Sequence, residues 1–376
     1  MFRSYFVVAI AVVIVVASST RSVDAAYADQ CTTPTGQQGQ CVPYSSCTDI
    51  ELRLQAAGSG GEQLTPDYIK YLRQASCGEI GGIRNFCCAA SQIQHNSKVI
   101  SQFRNESFEC GKVLNTLVAN GKEVRISSRP WMALLKYKQN GGDRFLCGGT
   151  LISDRYILTA AHCIYGLEEE LFEVRLGEHQ ISTEKDCRLY GRKEKCAPPV
   201  QDVGIEKQIL HEHYDPKRVA NDIALLRLSR SVQFERHIKP ICLPITKELK
   251  QQAEEISGFF VTGWGTTEKG SSSDVLLQAA VPLKPRTTCS QAYARDVPKT
   301  QLCVGGADYQ DSCKGDSGGP LQAAAFYLDE FKVRMVEFGI VSLGVVSCGE
   351  ISLPALYTNV AEYVQWITDQ MALNGL

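Results

Sequence analysis

Long apolar segments are scarce in this chain of 376 residues, and this scarcity limits how it can relate to a membrane. The one clear run, Phe6 to Ala17, has twelve residues, whereas a bilayer-spanning helix needs about 20. Arg3 precedes the run, and Val23-Asp24-Ala25 offers a small-residue cleavage site after it. These features predict a signal peptide over residues 1–25, with a membrane anchor as the alternative. The rest of the chain is then expected to be soluble and secreted.

The chain also lacks an excess of charge and a set of zinc ligands. Its formal net charge is -2, which gives no reason to expect binding to nucleic acid or to an anionic membrane. It has six histidines, without a His-rich cluster or a pair of CxxC motifs. Its 16 cysteines therefore favour disulfides in an oxidising compartment over metal binding. In a secreted protein, Asn105-Glu106-Ser107 is a predicted glycosylation site.

Six cysteines crowd into an N-terminal segment between residues 31 and 88. So small a domain needs cross-links, because it cannot bury a large apolar core. By themselves the residues leave fifteen pairings open. The six are Cys31, Cys41, Cys47, Cys77, Cys87 and Cys88.

The remainder divides into a weakly patterned polar segment and a longer patterned one. Residues 89–117 are predicted to be a linker that contains the activation segment. From Val118 onward, short apolar runs separated by turns indicate an all-β barrel or sandwich. The run Tyr363-Val364-Gln365-Trp366-Ile367 predicts an amphipathic helix near the C-terminus.

Three motifs carry the chemistry. Ser317 lies in Gly315-Asp316-Ser317-Gly318-Gly319-Pro320, and a serine nucleophile needs a base, an orienting group and an oxyanion site. Upstream are Thr159-Ala160-Ala161-His162-Cys163 and Asn221-Asp222-Ile223-Ala224-Leu225-Leu226. The order His, Asp, Ser resembles that of the trypsin/chymotrypsin family of serine proteases. A purely structural role for His162 is the alternative.

The resemblance implies both fold and roles. It implies two antiparallel six-stranded β-barrels with a C-terminal helix and a catalytic cleft between the barrels. His162 would act as general base and acid, Asp222 would orient it, and the backbone N–H groups of Gly315 and Ser317 would form the oxyanion hole. Inactive relatives replace the serine, whereas Ser317 is present here.

The same resemblance implies a specificity pocket for basic side chains. Asp311, six residues before Ser317, would lie at its floor and pair with Arg or Lys, with Ser312 adding a hydroxyl. Its walls would include Ser342, Gly344 and Ala355. Pro354-Ala355-Leu356-Tyr357 departs from the usual Pro-Gly-Val-Tyr. We hypothesise that the Ala355 methyl narrows the pocket and disfavours arginine relative to lysine.

Activation of such a protease requires a new N-terminus. Val118-Ala119-Asn120-Gly121 occupies the place of the family's mature N-terminus, so the Val118 ammonium would pair with Asp316. Because Leu117 precedes the cut, the activator is expected to accept leucine. Cleavage after Lys122 or Arg125 is the alternative, but it would remove Val118 from the protease.

The N-terminal cysteines resemble the clip domain of arthropod cascade proteases, with a generic disulfide knot as the alternative. The resemblance assigns residues 31–88 to the clip domain and 118–376 to the protease, and it implies the pairing of every cysteine. The implied pairs are Cys31–Cys87, Cys41–Cys77, Cys47–Cys88, Cys110–Cys242, Cys147–Cys163, Cys187–Cys196, Cys289–Cys303 and Cys313–Cys348.

One segment raises the question of a metal. Leu176-Gly177-Glu178-His179-Gln180 resembles the start of the family's calcium loop, with Glu178 as a ligand. The downstream acids align poorly with it. No cofactor is expected to be required, and calcium is retained as a hypothesis.

We therefore expect a secreted, trypsin-like zymogen of an extracellular, haemolymph cascade. The resemblance implies a role in innate immunity, either in prophenoloxidase activation (melanisation) or in processing of a Toll-ligand precursor. Its partners would be a protein substrate, an upstream protease that accepts leucine, a serpin inhibitor and a clip-binding cofactor. A catalytically silent adaptor and a digestive trypsin are the alternatives.

Overall fold

A computed structural model describes most of the chain. It covers residues 30–58, 64–80, 83–89, 99, 103, 109–112, 122–139, 142–266, 271–306, 316–328, 332–343 and 353–375. The predicted signal peptide, the sequon at Asn105 and the Leu117–Val118 bond lie outside the described residues. So do Asp311, Ser312, Cys313, Gly315, Gly344 and Cys348.

The N-terminal unit is an antiparallel sheet with strand order β1-β2-β4-β3 and two helices. Its apolar core is small, centred on Val42, Ile50 and Phe86. Thr65 caps α2 by accepting a hydrogen bond from the N–H of Tyr68 at 3.3 Å. Disulfides join Cys31 to Cys87, Cys41 to Cys77 and Cys47 to Cys88, the pairs that the resemblance implies. The elements are β1 (Gln30–Thr32), β2 (Gln38–Pro43), α1 (Thr48–Gly58), α2 (Pro66–Ala75), β3 (Ser76–Ile80) and β4 (Ile83–Ala89).

The next part of the chain forms a closed antiparallel barrel with strand order β12-β13-β8-β7-β6-β9. Its strands carry fully buried side chains such as Tyr156 and Leu158, which explains the short apolar runs in the sequence. Strands β10 and β11 form a separate hairpin outside it. The strands are β5 (Lys122–Glu123), β6 (Met132–Lys138), β7 (Arg144–Leu151), β8 (Tyr156–Thr159), β9 (Glu170–Leu176), β10 (Cys187–Tyr190), β11 (Lys193–Cys196), β12 (Gln201–Leu210) and β13 (Ala224–Leu228).

A second antiparallel barrel follows, in the order β14-β17-β18-β19-β16-β15. It closes because β14 also pairs with β15, and β5 extends it by pairing with β15. The two six-stranded barrels confirm the expected fold. The elements are α3 (Lys247–Gln252), β14 (Gly258–Gly263), β15 (Leu277–Lys284), α4 (Arg286–Tyr293), β16 (Gln301–Gly305), β17 (Pro320–Phe326), β18 (Val333–Leu343), β19 (Pro354–Asn359) and α5 (Val360–Leu373).

The C-terminal helix α5 links the barrels. Asn359 caps it by accepting a hydrogen bond from the N–H of Ala361 at 3.3 Å. Although α5 follows the second barrel, Trp366 and Gln370 donate to the carboxylate of Glu212, which lies between β12 and β13. The helix therefore packs on the first barrel. No helix among the described residues is long and apolar enough to cross a membrane.

The N-terminal unit, which resembles a clip domain, docks on the same helix. Ser46 donates a hydrogen bond to Oδ1 of Asp369 at 3.0 Å, and Nε2 of Gln365 donates to Ser46 Oγ at 3.0 Å. Asp369 is 2% exposed, and burial raises its pKa to about 7. The docked clip domain thus covers a carboxyl group that is easier to bury protonated than ionised.

The linker is packed against the protease at several points. Val99 and Phe103 are buried in the main apolar core. Cys110 is bonded to Cys242, and Gly111 makes backbone hydrogen bonds to both Pro240 and Met335. These contacts would keep the clip domain attached after a cut on the C-terminal side of Cys110.

Candidate active site

Two strand ends of the first barrel bring His162 and Asp222 together. His162 lies in a single turn of 3-10 helix after β8, and Asp222 lies just before β13, the strand that pairs with β8. The distance from His162 Nδ1 to Asp222 Oδ2 is 2.7 Å, and the His162 backbone N–H donates to Oδ1 at 2.9 Å. Asp222 can therefore orient the imidazole and stabilise its protonated form.

The Asp222 carboxylate is buried, and hydrogen bonds stabilise its negative charge. Burial alone would raise its pKa, but the hydrogen bonds and charge interaction with His162 hold that pKa below the ordinary value. The Ser342 hydroxyl also donates to Oδ2, and Thr358 Oγ1 donates to the backbone oxygen of Asp222 at 2.7 Å. The sequence motif places Ser342 only in the predicted pocket and gives no role to Thr358. Both residues lie more than a hundred positions after Asp222, so the sequence could not show that they contact it.

The backbone before Asp222 is set by Asn221. Its φ is 54°, a left-handed conformation that asparagine tolerates better than most residues. Its side-chain Nδ2 donates to the His213 carbonyl at 2.8 Å, and its Oδ1 accepts from the Tyr363 hydroxyl at 2.7 Å. The pairing of Asn221 with Tyr363 of α5 was not visible in the sequence.

The turn that contains Ser317 abuts the His162 side of the cleft. The N–H of Gly148 donates to the Ser317 carbonyl at 2.8 Å. Gly318 has φ 78°, and a Cβ there would overlap Thr159 Oγ1 and lie 3.2 Å from Cys163 Sγ. The turn thus packs against β7, β8 and the Cys147–Cys163 disulfide next to His162. Only glycine at position 318 permits this approach.

The Asp316 carboxylate lies beside the end of β14 and the loop that follows it. The N–H of Gly265 donates to Asp316 Oδ1 at 2.9 Å. A Cβ on Gly263 would overlap the carboxylate, and one on Gly265 would come 2.5 Å from Asp316 Cγ. The two glycines therefore make room for the carboxylate that we expect to receive the Val118 ammonium.

Of the predicted specificity pocket, the structure describes two wall residues, which lie on neighbouring strands. Ser342 belongs to β18, and Ala355 belongs to β19, where it faces Val304 of β16 in register. Ala355 is 1% exposed and lies within the apolar core. Its effect on Arg or Lys selection stays a hypothesis.

The Glu178 carboxylate lies among protein hydrogen-bond donors and a second acid. Its Oε1 accepts from the His179 N–H at 2.8 Å, and Arg175 Nη1 lies 3.4 Å from Oε2. Asp186 accepts from the N–H groups of His179 and Gln180. Burial and the nearby Asp186 raise the pKa of Glu178. Arg175 is shared, because its Nε and Nη2 also donate to Asp202 at 2.8 Å. Calcium binding at Glu178 stays a hypothesis.

Two further disulfides lie within the protease. Cys187 is bonded to Cys196 across the β10–β11 hairpin, and Cys289 is bonded to Cys303 between α4 and β16. Both pairs are those that the resemblance implies. Every cysteine among the described residues is in a disulfide.

Comparison with known families accounts for nearly the whole chain. Residues 118–367 match the Trypsin family, and residues 31–88 match the Regulatory CLIP domain of proteinases. Serine protease grass of Drosophila melanogaster is 65% identical over 376 residues, covering 100% of both chains. Phenoloxidase-activating factor 3 of Holotrichia diomphalia is 36% identical, covering 90% of this chain and 93% of the relative.

A solved structure resembles this one closely. The crystal structure of the Drosophila Grass clip serine protease of the Toll pathway superposes with a TM-score of 0.81 at 67% sequence identity. The match covers 93% of this chain and 99% of the other. The fold of both units therefore has an experimental counterpart.

Proposed function

The chain belongs to the trypsin family of serine proteases and carries that family's regulatory CLIP domain, and on this premise we propose that it is a secreted zymogen of an extracellular immune cascade. Membership at this identity makes it a serine endopeptidase. The active form would cleave a protein substrate after Arg or Lys.

The His162–Asp222 pair is the single observation that carries this proposal. With Asp222 fixing the Nδ1 side of the ring, Nε2 is the nitrogen left to accept the Ser317 proton and later deliver it to the leaving amine. Gly315 and Ser317 would donate N–H groups to the oxyanion. Loss of one such donor costs about 2.7–4 kcal/mol in this chemistry.

Preference for basic residues rests on Asp311 and Ser312. A carboxylate at the floor of a closed pocket selects a cation by a charge-assisted hydrogen bond. Ser342, Gly344 and Ala355 would form the walls. This assignment follows from their places in the family motif.

Activation is proposed to follow cleavage of Leu117–Val118. The new ammonium would pair with Asp316, whose carboxylate lies in the space left by Gly263 and Gly265. An enzyme with Asp311 in its pocket should not cut after leucine, so the activator would be a different protease. The cascade would therefore alternate between enzymes of different specificity.

The place in immunity is proposed from the relatives. The Drosophila Grass clip serine protease belongs to the Toll pathway, and the Holotrichia relative is named a phenoloxidase-activating factor. The higher identity to the former favours processing of a Toll-ligand precursor over activation of prophenoloxidase. A serpin and a clip-binding cofactor would be further partners. The digestive alternative leaves the clip domain unexplained.

The decisive experiment exposes the purified zymogen separately to trypsin and to an elastase-like protease. We expect only the second to expose Val118 and to produce hydrolysis of an Arg-amide substrate. A Leu117→Arg zymogen should reverse the preference. Correct cleavage without activity, and without labelling by a serine-directed reagent, would favour the adaptor instead.

A further inference from the structure

The β10–β11 hairpin lies outside both barrels and is held closed by a disulfide. Its strands pair from Cys187↔Cys196 to Tyr190↔Lys193. At its turn, Gly191 has φ 65° and Arg192 is exposed. Because the hairpin belongs to neither barrel, the residues that it contacts are the best indication of its function.

The hairpin contacts the chain just after the activation segment. The N–H of Ile126 donates to the Tyr190 hydroxyl at 3.0 Å, and the Arg125 guanidinium lies over the Tyr190 ring at 5.6 Å. Nearby, Arg188 Nε donates to Glu123 Oε1 at 2.6 Å. Residues 123–126 are thus held by two side chains of the same strand, β10.

The Arg125–Ile126 peptide bond is engaged on both sides. Its amide N–H is the one bonded to Tyr190, and its carbonyl oxygen accepts from the Ser128 N–H at 3.0 Å. Ile126 is 1% exposed, whereas the Arg125 side chain is exposed. A protease must place the scissile carbonyl in its own oxyanion hole and the flanking chain in extended form. Both requirements conflict with these contacts.

We propose that Tyr190 and the stapled hairpin protect the Arg125–Ile126 bond from trypsin-like proteases. The exposed arginine is a side chain that such enzymes select, including sister molecules with Asp311 in the pocket. To cut there, an enzyme must first open the Tyr190–Ile126 hydrogen bond and the turn closed by Ser128. The hairpin keeps that open form rare.

The protection rests on the proposed function and deepens it. Cleavage after Arg125 would detach Val118 from the protease and leave Asp316 without its expected partner. In a cascade that alternates Leu-accepting and Arg/Lys-specific enzymes, an unprotected Arg125 would let the second class destroy the zymogen. The hairpin therefore removes Arg125 as a site that competes with the productive cut at Leu117–Val118.

The test treats full-length zymogens with trypsin in a Ser317→Ala background, which prevents self-cleavage. Tyr190→Phe removes only the hydroxyl, Tyr190→Ala also removes the ring, and Arg192→Ala is the matched control at the hairpin turn. New N-termini are mapped by mass spectrometry over time. We expect cleavage at Arg125–Ile126 to be about two- to tenfold faster in Tyr190→Phe, as the loss of one hydrogen bond predicts, and faster still in Tyr190→Ala.

The Arg218–Val219 bond, next to an exposed arginine in another loop, reports general loosening. Unchanged cleavage at Arg125–Ile126 in folded Tyr190→Ala overturns the proposal, as does an equal acceleration at Arg218–Val219. Activity is not measured in this arm. A separate failure of elastase-cut wild type to hydrolyse Arg-amide would overturn the proposed function and leave this inference standing as a property of the zymogen.

Discussion

Ser342 of β18 donates its hydroxyl hydrogen to Oδ2 of Asp222, the oxygen that also lies 2.7 Å from His162 Nδ1. One carboxylate oxygen thus couples the second barrel to the histidine of the first. The contact makes Ser342 a positioning residue as well as a predicted wall of the pocket.

Ser342→Ala should therefore lower kcat more than it changes KM. A hydrogen bond to a charged group is worth about 1.5–3 kcal/mol, so a decrease of about ten- to a hundredfold is expected. Steady-state kinetics on the activated enzyme measure it, with Ser182→Ala, an exposed loop hydroxyl, as control. An unchanged kcat would show that the Ser342 hydroxyl is not needed to position Asp222.

Gly265→Ala should impair activation without preventing the cut. The new Cβ would press on the Asp316 carboxylate, and overpacking of this kind costs about 1–3 kcal/mol. Roughly a tenfold loss in the population of active sites follows, measured by titration with a serine-directed reagent after cleavage. Gly258→Ala in β14 meets its nearest neighbour, the Val281 oxygen, at 3.4 Å and should behave as wild type. Equal titres for both variants would contradict the role given to Asp316.

Asp369→Asn should make stability less dependent on pH. Because the pKa of Asp369 is raised from 3.8 to about 7 in the folded protein, the unfolded chain releases this proton first. Wild-type stability should therefore fall as pH rises from about 4 to about 7 and level off above that. The amide of the variant does not ionise, so it avoids this loss of folding stability, which is of the order of a few kcal/mol.

Melting temperatures of both proteins at about pH 5 and about pH 8, on either side of that range, measure this effect. The melting temperature of the Asp369→Asn variant should exceed that of wild type by the larger margin at the higher pH. A parallel shift of both proteins would mean that Asp369 is not the group responsible.

Ala355→Gly should raise activity on Arg substrates relative to Lys substrates. If the methyl group narrows the pocket, its removal favours the broader guanidinium. One methyl group in an apolar pocket is worth about 1–3 kcal/mol of discrimination. Matched Arg- and Lys-amide substrates give the ratio of kcat/KM, and an unchanged ratio would refute the hypothesis.

Calcium should leave thermal stability unchanged, since the two oxygens of Glu178 already face the His179 N–H and Arg175 Nη1. Melting temperatures in excess EDTA and in excess calcium, at matched ionic strength, test this directly. A rise in the melting temperature with calcium that Glu178→Gln abolishes would instead establish a calcium site at Glu178.

The chain's catalytic motifs and fold class were predictable because each motif is a continuous run of residues. The Ser317 turn needs Gly318 directly beside it, and Asp222 needs the left-handed Asn221 directly before it. The short apolar runs follow from burial of whole barrel strands, such as β8 and β16, in which every residue is buried. Physical requirements that act between neighbours along the chain leave a mark that sequence alone can reveal.

Contacts between distant segments were decided only by the tertiary structure. The clip domain meets α5 through Ser46 and Asp369, residues separated by most of the chain. The Tyr190 hydroxyl accepts a hydrogen bond from the Ile126 N–H. The disulfide that closes the hairpin of Tyr190 was predicted, whereas this contact was not. Neither pairing follows from composition or periodicity, because a hydroxyl or a carboxyl selects its partner by proximity, and proximity is set by how the barrels pack.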